Sequence, residues 1–256
     1  MQDIDYDDFL SDIYDDSPFF GRRRVQSLQD FNRIYFDNLA LSDKILELGS
    51  ATGLLTVDLA RSGYTLTSID IAPSMHRVLE RKLAQESQET RGNVTLLLDD
   101  ATTFQGPEPY DAIVMSEGLV IALPNKAMQR ALFENCRRNL RPGGLLITDF
   151  FQPYYKAICE EGLTEYTRFR TADGTAYMLT VSFENEPHEQ RQSWQCTYRN
   201  MAEDTENAAP ISATVHFCYV LKAEMELLLE LTGFKVLQFN TDYAEGRGFS
   251  LVAERL

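Results

Sequence analysis

The chain has 256 residues, 44% of them hydrophobic and 25% charged, with a formal net charge of -15 at pH 7 and a pI near 4.6. This excludes a disordered polymer and leaves room for one α/β domain with an insertion and a substantial core. The charge opposes nucleic acid and anionic membranes as partners, because Arg22-Arg23-Arg24, the only basic run, is too short to line a groove.

Seven aspartates stand among the first sixteen residues, unlike any signal or transit peptide. Val25, Leu28, Phe31, Tyr35 and Leu39 then form one apolar helix face. Strand patterns follow at 44–48, 65–69, 94–98, 111–115 and 145–149, with helical segments between them. That alternation predicts a doubly wound parallel sheet. The clearest helix is 126–140, where Met128, Leu132, Cys136 and Leu140 recur at every fourth position before Arg141-Pro-Gly-Gly144 stops it. After Phe151 the texture changes. Segments 164–169, 176–184, 190–200 and 212–220 are rich in β-branched and aromatic residues, with turn signals at 171–175 and 185–187. Residues 202–209 are polar and small, a surface loop. A helix at 221–232 capped by Gly233 and strands at 234–239 and 248–253 close the chain.

No apolar run approaches membrane-spanning length. Cys136, Cys159, Cys196 and Cys218 show no Cys-x-x-Cys pair and no nearby histidine cluster. They read as buried or partly buried thiols in a reducing compartment rather than a disulfide frame or a metal site. A cytoplasmic protein without a bound metal is expected.

The most informative stretch is Lys44-Ile-Leu-Glu-Leu-Gly-Ser-Ala-Thr-Gly53, an apolar strand running into an acid, a Gly-x-x-x-Gly turn and a helix. A dinucleotide turn wants glycine at 49, 51 and 54, whereas Ala51 and Leu54 stand here. Glu47 adds a negative charge that repels phosphate and suits a sulfonium or ammonium. Asp70 ends the second strand, where a carboxylate accepts two ribose hydroxyls. Asp100-Ala101 follows the third strand, placed to meet an adenine amine and a ring nitrogen. Met75 either covers an adenine face or is ordinary core.

Together with Tyr110-Asp-Ala-Ile-Val114, Arg141-Pro-Gly-Gly144 and Gly233-Phe-Lys-Val236, these residues resemble the class I S-adenosylmethionine-dependent methyltransferases over roughly residues 25–150 and 221–256. The resemblance implies a Rossmann-like, doubly wound seven-stranded sheet of order 3-2-1-4-5-7-6 with strand 7 antiparallel. It also implies S-adenosylmethionine as cofactor, held by Glu47, Gly49, Ser50, Ala51, Gly53, Asp70, Ile71, Met75, Asp100, Ala101 and Ser116. Ala51 departs from the glycine common in the family. The division expected is a lid segment 1–24, a cofactor domain 25–151 with 221–256, and an antiparallel β insertion 152–220 that caps the substrate.

The N-terminal segment and the insertion are similar to small-molecule N-methyltransferases acting on glycine or amino sugars. By that likeness Tyr14 and Arg23 hold the methionine carboxylate. Arg22 is an alternative to Arg23, and a lid-packing role is an alternative for Tyr14. Glu117, in the loop after the fourth strand, is placed either as base or ammonium anchor for the acceptor, or as partner of the methionine amino group. His216 either faces the acceptor or is a structural histidine. The acceptor implied is a small molecule, cationic or neutral, methylated on nitrogen ahead of oxygen or carbon. Use of the cofactor's aminobutyryl arm instead of its methyl group is the alternative chemistry. A homodimer is left open.

Overall fold

Ile45–Leu48 (β1) is buried at every position, as expected of the central strand of a sheet covered on both faces. In the computed structural model, residues 8–18, 28–202, 210–244 and 246–256 are described, with 28–31 described by backbone only. Arg22, Arg23, Val25 and most of the predicted 202–209 loop lie outside the described residues, as do the side chains of Leu28 and Phe31.

In chain order the helices are α1 (Asp8–Ile13), α2 (Leu28–Phe36), α3 (Leu54–Arg61), α4 (Pro73–Ala84), α5 (Gln88–Gly92), α6 (Leu119–Ala122), α7 (Lys126–Asn139), α8 (Tyr155–Cys159) and α9 (Lys222–Leu231). The strands after β1 are β2 (Leu66–Asp70), β3 (Val94–Leu98), β4 (Tyr110–Met115), β5 (Leu140–Phe151), β6 (Thr164–Arg170), β7 (Ala176–Glu186), β8 (Arg191–Asn200), β9 (Ile211–Cys218), β10 (Phe234–Tyr243) and β11 (Gly248–Arg255). Seven strands form one sheet in the order β3-β2-β1-β4-β5-β11-β10, and β11 runs antiparallel to both neighbours. This is the predicted 3-2-1-4-5-7-6 order. The second sheet, β6-β7-β8-β9, is wholly antiparallel.

Strand alternation assigns each side chain to a face. Leu46, Leu48, Ile113 and Met115 join Leu132, Phe133, Cys136, Met225 and Leu229 of α7 and α9 in one core. Ile45, Ala112 and Val114 point the other way, onto Tyr35, Leu55, Leu59 and Ala60 of α2 and α3. Asn125 caps α7 by accepting from the Met128 N–H at 3.0 Å, and Pro73 opens α4.

Two expectations need adjusting. Leu140 begins β5 instead of ending α7, because Arg141–Gly144 bulges out of the ladder: Tyr110 pairs with Leu140, and the next paired residue, Ala112, meets Leu145. Of the four thiols, Cys159 is exposed, while Cys136, Cys196 and Cys218 are buried. Burial raises the Cys136 thiol and pushes Cys196 up to about 11.

The acidic N-terminus has a structural use. Asp8, Asp12 and Asp15 of α1 and its C-terminal turn pair with Arg77, Arg81 and Lys82 along α4, the last pair at 2.6 Å. Leu10 and Ile13 on the other face of α1 pack with Leu179, Val181, Cys196 and Tyr198 of the second sheet. Thus α1 bridges the two sheets.

Candidate active site

The site lies at the carboxyl ends of β1, β2, β3 and β4, where an open α/β sheet leaves a crevice. Gly49, Ala51 and Gly53 have φ of +73°, +46° and +83°, so the turn after β1 alternates through the left-handed region. Ala51 bears a strain there that glycine would not. In return its N–H donates to Asp70 Oδ2 at 2.8 Å, while the Ala72 N–H donates to Oδ1 at 2.8 Å. The Ile71 amide also bonds this carboxylate, and together the amides fix it at the cavity wall. Burial raises the Asp70 pKa above the ordinary carboxylate value, against the pull of the Ala72 and Ala51 amides and the charge of His76.

Glu47 does not reach the crevice. It is buried beneath the turn and accepts from Thr56 Oγ1 at 2.6 Å and Ser68 Oγ at 2.7 Å. Ser50 and Gly53 are likewise buried behind the turn rather than in the cavity wall, and Gly53 caps α3. The structure therefore divides the predicted set. Gly49, Ala51, Asp70, Ile71, Met75, Asp100, Ala101 and Ser116 line a cavity of about 390 Å³, together with Tyr14, Glu117 and His216. Asp100 spends Oδ1 on its own turn, accepting from the Thr102 N–H and Oγ1. Asp99 is a lining residue that the sequence pattern did not separate from its neighbour.

A second cavity of about 520 Å³ adjoins the first and shares Tyr14, Glu117 and Phe217 with it. Tyr14 donates to Glu117 Oε2 at 3.0 Å, so this pair forms part of the wall between the two. Glu117 itself sits at φ +59°, an uncommon value for a residue with a side chain.

The second sheet gives a different face to each cavity. Glu184, Ser193 and His216 are directly opposed across β7, β8 and β9 and line the first cavity; Ser193 Oγ lies 2.7 Å from His216 Nδ1. On the other face Trp194 joins Phe151, Tyr154, Tyr155, Phe217 and Tyr219 around the second cavity. Trp194 meets Phe217 edge to face at 5.0 Å and Phe183 at 5.6 Å. Polar and aromatic walls alternate because strand side chains do. The partial alternation of the insertion was visible in the sequence; which row faced which cavity was not.

Residues 45–144 match the family model described as a methyltransferase domain. That stretch is a methyltransferase domain. The demethylmenaquinone methyltransferase of Tropheryma whipplei (strain Twist) is 27% identical to it over 151 residues, covering 56% of this chain and 59% of that protein. The chain thus matches well under two thirds of that relative's length. Among solved structures, the CcbJ methyltransferase from Streptomyces caelestis superposes with a TM-score of 0.79 at 18% identity, over 100% of this chain and 99% of its own. CalS10, an amino pentose methyltransferase from Micromonospora echinaspora, superposes with a TM-score of 0.69 at 19% identity, over 92% and 94% of the two chains. These two likenesses are of fold, and they extend beyond the methyltransferase domain to the second sheet. Among the described residues no helix is long and apolar enough to cross a membrane, and no group of three or more His, Cys, Asp or Glu is placed to hold a metal.

The residues present fit S-adenosylmethionine. Among the described residues the first cavity combines the buried carboxylate of Asp70, a buried thioether at Met75 and further acids at Asp99, Asp100 and Glu117, against one arginine, Arg191. That excess of negative charge disfavours a phosphate and favours a cationic nucleoside.

Proposed function

We propose that this protein transfers a methyl group from S-adenosylmethionine to a small-molecule acceptor, cationic or neutral, with nitrogen favoured over oxygen or carbon. The observation that carries this is the pair of adjoining cavities meeting at Tyr14 and Glu117, one with nucleoside-binding groups and one walled by aromatics. When bound, the cofactor supplies an electrophilic methyl group on a positively charged sulfur.

The chain's own residues then have distinct tasks. Asp70 grips the ribose, and Asp100 with Ala101 meets the adenine edge, between Ile71 and Met75. Ser116 and Tyr14 lie toward the methionine end, with Arg23 as the proposed carboxylate partner. The acceptor enters the second cavity, where Trp194 and its neighbours exclude water and align it. Glu117, on the wall common to both, removes the acceptor's proton or holds its ammonium until deprotonation. His216 is the second choice for that proton, and it belongs to the first cavity alone. Glu47, Gly49, Ser50, Ala51 and Gly53 act by shaping the turn. Segment 1–24 serves as lid and 152–220 as acceptor cap; the free thiols suit a cytoplasmic setting.

The experiment is incubation with S-adenosylmethionine and a library of amines, amino sugars and phenols, with products read by chromatography and mass spectrometry. Formation of S-adenosylhomocysteine with an acceptor one methyl heavier is expected. Methylthioadenosine would replace this reading with transfer of the aminobutyryl arm.

A further inference from the structure

We propose that Asp149 and Tyr35 are positioning residues that hold Glu117 on the wall between the cavities; this rests on the role given to Glu117 above. Asp149 lies near the end of β5 and is completely buried, as is Tyr35 on α2. Buried carboxylates need donors, and a donor anywhere nearby would satisfy that need. Here several of the links converge on one short stretch. Asp149 Oδ2 accepts from the Glu117 N–H at 3.3 Å, and its backbone carbonyl accepts from the Gly118 N–H at 3.1 Å. Tyr35 O–H donates to Asp149 Oδ1 and also lies 2.9 Å from the Met115 carbonyl. Residues 115, 117 and 118 are therefore tied to one buried pair.

That stretch has backbone geometry worth tying. Glu117 and Gly118 are both left-handed, at φ +59° and +84°, immediately before α6. A residue with a side chain leaves this conformation readily unless its surroundings over-determine it. A return of Glu117 to negative φ would swing its carboxylate away from Tyr14 and off the shared wall. Tyr14 restrains the side chain from the α1 side, and Asp149 restrains the backbone from the core. Neither Asp149 nor Tyr35 lines either cavity, so they act through Glu117 and not on the substrate.

Tyr35→Phe and Asp149→Asn test this, Tyr35→Phe being the variant whose packing is nearly unchanged. In protein without acceptor, exchange of the Glu117 and Gly118 amides should accelerate about tenfold or more, while S-adenosylhomocysteine affinity stays within about twofold. With the acceptor found in the library screen, Tyr35→Phe should lower kcat about ten- to a hundredfold at nearly constant KM, the scale of a small misplacement. In a Glu117→Gln background the same change should cost less than about twofold more, because the group it positions is gone. Unaltered amide exchange in Tyr35→Phe, or losses that multiply in the double variant, would overturn the proposal. Should the wild-type protein methylate nothing in the screen, the functional reading fails and the exchange measurement still decides this one.

Discussion

At the scale of single residues, the turn after β1 shows how close a strained and an unstrained solution lie. Gly53 has φ +83°, and a Cβ built there would stand 2.2 Å from Leu79 Cδ1. Gly53→Ala should therefore cost about 2–4 kcal/mol, combining left-handed strain with overpacking. Two residues earlier Ala51 already tolerates φ +46°. Ala51→Gly relieves strain but frees the unfolded chain, for a net gain of about 0.5–1 kcal/mol. Denaturant midpoints for the two variants would move in opposite directions; parallel movement would contradict this account of the turn. Asp70 carries the pH dependence. Its folded pKa is raised by burial, so its ionised form weighs against stability once the pH passes above that value, and this cost is absent below the ordinary carboxylate range. Ribose hydroxyls donate to the ionised form, so cofactor affinity should rise as pH climbs through the raised pKa, with proton release on binding in that window. Calorimetry of S-adenosylhomocysteine in buffers of different ionisation enthalpy would show it, and Asp70→Asn should abolish the release. Asp70→Ala should weaken binding by about 1.5–3 kcal/mol, the usual scale for hydrogen bonds to a charged group.

At the scale of elements, α1 is held by two unlike forces. Its acidic side pairs with Arg77, Arg81 and Lys82, and the first two of these pairs are well exposed, so salt weakens them. Its apolar side, Leu10 at 3% exposure and Ile13 at 6%, is buried against the second sheet and is indifferent to salt. Limited proteolysis near the N-terminus should accelerate in high salt and slow with cofactor present. Leu10→Ala should loosen the segment by about 2–3 kcal/mol even in low salt. Equal cutting with and without cofactor would remove the lid role. The chain's high aspartate content thus reads differently once α4 is in view: charge density that looks hostile to packing is complemented, three residues against three.

At the scale of the whole molecule, the proposed place of the acceptor rests on the second sheet, whose two faces serve two cavities. Trp194→Ala should raise the acceptor's KM roughly ten- to a hundredfold, the equivalent of 1.5–3 kcal/mol of aromatic burial, without changing S-adenosylhomocysteine affinity. His216→Ala should leave that KM nearly unchanged. The reverse pattern would move the acceptor to the polar end of the first cavity. Glu117→Gln should lower turnover at least about a hundredfold with little change in cofactor affinity. A collapse of cofactor affinity instead would assign Glu117 to the methionine end.

Much of this was legible in the amino-acid order because it is local. A short apolar run, a turn that needs left-handed backbone and a helix start identify β1, its loop and α3 by steric rules alone, and alternating strands and helices leave few sheet topologies. Asp70, which ends β2, and Asp100, two residues past β3, stood out in the sequence by their places at strand ends, and both line the first cavity. What depended on tertiary structure was the direction in which a side chain points and what meets it there. Glu47 turns inward to Thr56 and Ser68, nine and twenty-one residues away. Tyr14 meets Glu117 across 103 residues, and Tyr35 meets Asp149 across 114. No periodicity links such pairs; they are neighbours only because the sheet brings the carboxyl ends of its strands to one edge and α1, packed between α4 and the second sheet, brings Tyr14 to it.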